Sequence, residues 1–382
     1  YEYLEGNKIL VKDTIQTLRN LGRIRLSFYK RKKIAVTGSF GKTGVKDALC
    51  YVLKEKYNTC ATAGNHNNEL GVCLTASGIP LQTEMAVFEI GSNAPGEIEH
   101  LSNLIKPDMA VVTGVGFAHI GRFGTLEETA KEKLSIANSL SDGGTLIVNS
   151  SLKELLNKFY SENRFKAVTF GEEGADISLT DYKADKFKAR AEYSVWGKDY
   201  AFELPYPYRH LAVNFGAVLG GALLLNLSED EIKRGVSSFR LADGRGNILK
   251  GGDLYVIDDS YNASLESVLR SVEALNDLPI SGEKYAVLGG IGEIDGFDTL
   301  IYKKVCSLAE ECPRVNFIFV GDNYAASFER DRSNAEFIPA MDAVTKRISA
   351  IEKGVILLKA SHSFGFSRFK DEINKRVGLN VI

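Results

Sequence analysis

The residues with the clearest chemical potential lie in 33–46, KIAVTGSFGKTGVK. Residues 34–37 read as a buried strand, 38–41 as a glycine-rich turn, and a helix opens at Lys42. Gly38, Ser39 and Gly41 would form a cradle whose backbone N–H groups point at phosphate oxygens. The helix N-terminus adds partial positive charge, Lys42 neutralises β/γ-phosphate charge, and the Thr43 hydroxyl can ligate Mg²⁺. The spacing is uncommon: two residues separate Gly38 from Gly41, where the usual loop has four. G-x-x-G-K-T on its own also fits a glycine turn that merely caps a helix.

Other candidates are weaker singly. Glu89 ends the apolar run VFEIG, where a carboxylate can hold Mg²⁺ opposite the loop or simply cap a strand end. His119, in GVGFAHIGRFG, is a possible metal ligand, although Mg²⁺ prefers oxygen and a lone His is commonly a structural hydrogen-bonder. Lys131 and Lys133 follow Glu127 and Glu128 and read, by spacing alone, as a solvated face. Asn65, Asn67 and Asn68 (GNHNNELG) are either plain turn residues or amides on an active edge. Arg245 can reach phosphates from a hinge, and an aspartate at a strand end (Asp258 or Asp259) can accept from ribose hydroxyls.

The elements that must position these residues alternate. Strands are predicted at 34–37, 59–63, 85–90, 109–113 and 145–148, with helices at 45–54, 96–104 and 126–140 between them. This pattern implies a mostly parallel sheet covered on both faces, with ligands beyond the strands' carboxyl ends. Three polar clusters, 38–43, 89–93 and 114–119, fall at such ends. Residues 166–204 read as an antiparallel meander, followed by helices at 211–225 and 230–239. The texture loosens over 242–253, ADGRGNILKGGD, and then strands at 254–257, 285–288, 315–320 and 355–358 alternate with helices at 265–275, 300–310 and 341–351. The expected class is α/β: a phosphate-loop domain over 33–241 followed by a smaller Rossmann-like domain over 242–382. Residues 1–32, with Ile9, Val11, Ile15, Leu18 and Leu21 at helical spacing, are expected to be a linker or the remnant of another domain.

Composition narrows the class. The 382 residues are 44% hydrophobic and 25% charged, with net charge −2, which advertises neither nucleic acid nor an acidic membrane surface. Apolar runs such as 217–225 are too short to span a bilayer, and no secretory signal opens the chain, so a cytoplasmic monomer is expected. The first residue is not Met, which reads as processing or trimming. Five cysteines form no C-x-x-C pair and are expected to stay reduced. G-x-G-x-x-G is missing from the second domain, so no dinucleotide site is expected there.

Taken together, the chain resembles the Mur ligases. The pieces that carry the resemblance are, in order, TGSFGKT (37–43), GNHNNELG (64–71), FEIGSNAPGEI (88–98), VGFAHIGRFGTLEETAKEK (115–133), HLAVN (210–214), GR (244–245), DDSYNAS (258–264), VLGGIGEI (287–294) and LLKASHSFG (357–365). N-x-P-G-E-I and D-D-S-Y-N point to the branch that adds D-alanyl-D-alanine. The resemblance implies an ADP-forming ligase: a carboxylate attacks the γ-phosphate of ATP, and an amine displaces phosphate from the acyl phosphate. It implies that Lys42 is the phosphate-loop lysine, that Thr43 and Glu89 ligate one Mg²⁺ and His119 a second, and that Lys133 is carried as a carbamate, an anionic oxygen ligand, with Lys131 a decoy. Asn214 resembles an adenine-side asparagine, Arg245 a phosphate-contacting hinge arginine, and Asp259, Tyr261 and Asn262 a ribose- and adenine-side group. Asn65, Asn67 and Asn68 fall on the substrate side. The implied partners are a nucleotide-sugar-peptide acceptor and an amino acid or dipeptide.

The chain departs from the family pattern in places. Gly44 and Val45 replace a run of threonines, Cys73 stands for an expected proline, and no proline occurs near Leu265. The family's uridine-nucleotide-gripping N-terminal domain is expected to be missing or reduced to the first thirty-odd residues. Three readings follow: a peptidoglycan-precursor ligase, the same chemistry on a capsule, polymer or natural-product acceptor, and a weakened nucleotide-binding protein.

Overall fold

The computed structural model describes residues 9–117, 120–160, 165–328 and 332–382. Its first sheet is built from β1 (Lys32–Thr37), β2 (Thr59–Ala61), β3 (Met85–Glu89), β4 (Met109–Val112), β5 (Thr145–Asn149), β6 (Lys166–Gly171), β7 (Ile177–Asp185), β8 (Lys188–Val195) and β9 (Lys198–Leu204). The nine strands run in the order β2-β3-β1-β4-β5-β6-β7-β8-β9. Pairing is parallel from β2 to β7 and antiparallel from β7 to β9. The order reverses around β1, which lies between β3 and β4, and the opening left there is where an α/β sheet takes its ligand.

The pleat explains why these strands read as unbroken apolar runs. Ile34, Val36, Val87, Val111 and Ile147 face one layer, with the helices Lys42–Leu53 and Arg209–Leu224. Ala35, Phe88, Ala110, Val112 and Val148 face the other, with Glu97–Ile105 and Leu126–Leu134. Both faces are buried, so both sets of side chains must be apolar.

The second sheet comprises β10 (Asn247–Gly251), β11 (Leu254–Asp259), β12 (Lys284–Leu288), β13 (Val315–Val320), β14 (Ala335–Ile338), β15 (Gly354–Lys359) and β16 (Asn380–Val381), in the order β14-β13-β12-β15-β11-β10-β16. Strands β14 to β11 are parallel, whereas β10 pairs antiparallel with both neighbours. One apolar cluster runs from Val36 through Tyr208, Leu241 and Ile248 to Ile257, Val268 and Phe317, so the two sheets share buried surface.

Several expectations change. Residues 166–171 are not part of an antiparallel meander: β6 extends the parallel sheet, its Val168 and Phe170 packing beneath Arg209–Leu224. The loose stretch at 242–253 contains β10, held by its hairpin with β11 across Gly252 and Asp253. The helix at 126–140 is α-helical only to Leu134 and tightens to a 3-10 turn over Ser135–Ser139. In the leading segment the helix is Thr14–Phe28, started by Asp13, whose carboxylate accepts from the Gln16 N–H at 2.9 Å. Its buried face is Gly22 and Leu26, while Ile9, Ile15 and Leu21 are exposed. Gly22 permits a close crossing with the helix Glu69–Ser77: a Cβ there would lie 2.6 Å from the Cys73 Cα. Among the described residues no helix is long and apolar enough to cross a membrane, and no two cysteines form a disulfide.

Candidate active site

The turn after β1 requires its glycines. Gly38 and Gly41 adopt φ of 146° and 76°. A Cβ would lie 2.1 Å from Thr113 Oγ1 at the first and 2.6 Å from Asn214 Nδ2 at the second. Thus the two-residue spacing builds a tight loop whose shape depends on β4 and on Asn214. The Ser39 N–H donates to the Gly114 carbonyl at 2.8 Å, and Lys42 folds back so that Nζ donates to the Gly38 carbonyl at 2.7 Å. Loss of water lowers the Lys42 pKa, with Arg245 adding to the effect and Glu89 opposing it. The ammonium therefore lies over the loop and gains from any anion that enters.

Glu89, at the end of β3, is buried and fully engaged. Thr43 Oγ1 donates to its Oε2 at 2.8 Å, and Asn67 Nδ2 donates to its Oε1 at 2.9 Å. Thr43 and Glu89 are neighbouring oxygen donors beside the phosphate loop, the donor type that Mg²⁺ takes. Among the described residues no group of three or more His, Cys, Asp or Glu forms a metal cluster. His119 lies outside the described residues.

The two lysines of the helix Leu126–Leu134 separate cleanly. Lys131 is exposed, whereas Lys133 is buried, its Nζ donating to Ser92 Oγ at 2.6 Å and lying 5.5 Å from the Phe123 ring centroid. Burial first and then Lys42 push its pKa down, to about 7, against the opposing pull of Glu132 and Glu97. Near neutral pH a large share of this amine is uncharged and nucleophilic. Glu132 ties the same helix to Glu97–Ile105 by accepting from the Gly96 and Ile98 N–H groups at 2.7 and 2.9 Å.

The second sheet supplies the other wall. The Arg245 guanidinium lies 4.1 Å over the Tyr261 ring. Asp259, at the end of β11, is not a free acceptor: Lys359 Nζ lies 2.6 Å from its Oδ2, and Ser271 Oγ donates to the same atom at 2.6 Å. Asp258 points elsewhere, to Lys370 at 2.9 Å. Burial, Arg270 and Lys359 together pull the His210 pKa down to about 3, so this ring is neutral.

One cavity of about 1090 Å³ joins these walls. Ser39, Gly41, Lys42, Thr43, Asn65, Asn67, Asn68, Glu89, Asn214, Arg245, Asp259, Tyr261 and Asn262 all line it. The structure thus gathers most of the expected site residues. Gly38 and Lys133 are not among the lining residues, and Lys133 reaches the wall through Ser92. Asn68 is committed to capping the helix Glu69–Ser77, its Oδ1 accepting from the Gly71 N–H at 2.9 Å. Asn214 Oδ1 is buried without a hydrogen-bond partner beside Gly41. Sequence reasoning passed over Arg270, Lys359, Ser92 and Glu132. Ser92 and Lys359 stand inside the quoted pieces FEIGSNAPGEI and LLKASHSFG, and their polarity next to apolar strands was the available signal.

A phosphate loop at the switch point of a parallel sheet, faced by a second α/β sheet that contributes an arginine and an aspartate, defines a Mur ligase. The Mur ligase middle domain model matches residues 36–222. Among these enzymes the chain belongs to the UDP-N-acetylmuramoyl-tripeptide–D-alanyl-D-alanine ligase family. It is 30% identical over 366 residues to the family member from Bacillus subtilis (strain 168), covering 92% of this chain and 78% of that protein. The crystal structure of MurF from Acinetobacter baumannii superposes with a TM-score of 0.86 at 26% identity, covering 96% of this chain and 82% of that one. MurF ligase from Thermotoga maritima, in complex with ADP, gives a TM-score of 0.85 at 26% identity, covering 98% and 88%.

Proposed function

We propose that this chain is an ATP-dependent, ADP-forming carboxylate–amine ligase that joins D-alanyl-D-alanine to a UDP-N-acetylmuramoyl tripeptide in the cytoplasm. The observation that carries the reading is the convergence of Lys42, Thr43 and Glu89 with Arg245 and Asp259 on one cavity, in a chain related over nearly its full length to that family. The functional boundary falls near 242, with residues 33–241 as the nucleotide unit and 242–382 as the closing unit.

Each group has a task. The phosphate-loop amides and Lys42 hold the β- and γ-phosphates, and Lys42 balances the charge that develops as the acceptor carboxylate attacks phosphorus. Arg245 approaches the same phosphates from the other unit. Asp259, held by Lys359 and Ser271, offers its remaining oxygen to the nucleotide ribose, with Tyr261 and Asn262 beside it. Asn65 and Asn67 face the acceptor side. The neutral Lys133 amine is suited to take up CO₂ as a carbamate, which would place an anionic oxygen next to Ser92. Thr43 and Glu89, with His119 and the carbamate, would hold Mg²⁺, which neutralises phosphate charge when bound.

The test follows oxygen. With ¹⁸O in the acceptor carboxylate, one label per turnover must appear in inorganic phosphate, because that oxygen bonds to phosphorus before the amine displaces it. Amide product with unlabelled phosphate would refute the acyl-phosphate route.

A further inference from the structure

The helix Leu265–Asp277 starts at a capping box built by Ser264 and Ser267 and presents its first turns to the phosphate-loop unit. Glu266 Oε1 accepts the Phe117 N–H at 2.6 Å. Gly116 leaves room for this approach, since a Cβ there would lie 2.2 Å from the Glu266 carboxyl carbon. One turn on, the Arg270 guanidinium lies 4.1 Å over the ring of Phe40, the residue between Ser39 and Gly41. The tip of that ring lies against Gly114, where a Cβ would meet its Cζ at 2.5 Å. Thr113 Oγ1 donates to the Phe40 carbonyl, and the Ser39 N–H donates to the Gly114 carbonyl. Phe40 is therefore held between the 113–114 backbone and a cation from the other unit.

We infer that Arg270 is a positioning residue for phosphoryl transfer: by stacking on Phe40 it locks the phosphate loop, and with Glu266 on the Phe117 amide it fastens the closing unit over the site. This rests on the proposed ligase reading. Arg270 acts through Phe40, so its loss should lower the rate of chemistry far more than nucleotide affinity. A desolvated cation–ring contact corresponds to about tenfold in rate.

The experiment compares the full chain with Arg270→Lys, Arg270→Met, Phe40→Leu and the double variant Phe40→Leu/Arg270→Met. Turnover is read as kcat and KM for ATP. Hydrogen exchange at residues 114–117 is read with ADP and Mg²⁺ bound. Arg270→Met and Phe40→Leu should each lower kcat about tenfold with KM within about twofold, Arg270→Lys should recover most of the loss, and the double variant should be no worse than either single one. Exchange at 114–117 should quicken in the same order. Losses that multiply in the double variant, a Lys variant no better than Met, or unchanged exchange in Arg270→Met would each overturn the inference. The exchange arm needs only ADP and Mg²⁺, not the acceptor or the amine, so it decides this point even if the wild-type chain fails to turn over the proposed acceptor, a result that would count against the ligase assignment instead.

Discussion

Thr43 and Glu89 are joined by a 2.8 Å hydrogen bond that links the first turn of the phosphate-loop helix to the end of β3. The bond sets two oxygen donors side by side next to Lys42. Glu89→Gln keeps the shape and removes the charge, so the fold should survive. Turnover should fall by about 10²-fold or more, and ADP should lose the part of its affinity that depends on Mg²⁺. Calorimetric ADP titrations with and without Mg²⁺ check this, and a Gln variant with wild-type Mg²⁺ dependence would contradict it.

Lys133 gives a chemical-rescue test. Lys133→Ala should lose turnover, and acetate should restore part of it by supplying the missing carboxylate oxygen. Full activity of Lys133→Ala in the absence of any additive would dismiss the carbamate. Lys131→Ala, on the exposed side of the same helix, should be indistinguishable from wild type.

His210 predicts an acid response. Its pKa is about 3 in the folded chain, against about 6.5 when unfolded. Between these values the unfolded chain binds the extra proton, so stability is intact above about pH 6.5 and declines as pH falls towards 3. His210→Gln removes this linkage, and its acid-unfolding midpoint, followed by circular dichroism, should move to lower pH. An unmoved midpoint would mean that the ring protonates freely in the fold.

Much of this site was readable because parallel strands buried on both faces write continuous apolar runs, and polar residues at their ends stand out, as at Glu89 and Asp259. The glycines of 38–41 were visible for the same reason. Long-range partners were not. Nothing local in DDSYNAS tells that Lys359 will reach Asp259, or that Arg270 will settle on Phe40, because the first pair forms only when β15 aligns with β11 and the second only when the two sheets pack. β10 was missed since Gly251, which ends it, and Gly252, which allows the tight turn at 252–253, look like loop. The face of Thr14–Phe28 was misjudged because its close contact is made by Gly22, a residue with no apolar signature.

That contact is itself testable. Gly22→Ala should force the helices Thr14–Phe28 and Glu69–Ser77 apart and cost about 1–3 kcal/mol in denaturant unfolding. A loss below a few tenths of a kcal/mol would show that the leading helix contributes little to the stability of the sheet beneath it.

The most direct test of the ligase assignment is phosphate release from ATP and Mg²⁺ with UDP-N-acetylmuramoyl tripeptide and D-alanyl-D-alanine, each omitted in turn. Release that requires both substrates, and that Lys42→Ala abolishes, is the predicted result. Release that ignores the dipeptide, or none at all from a chain that binds ADP, would contradict it.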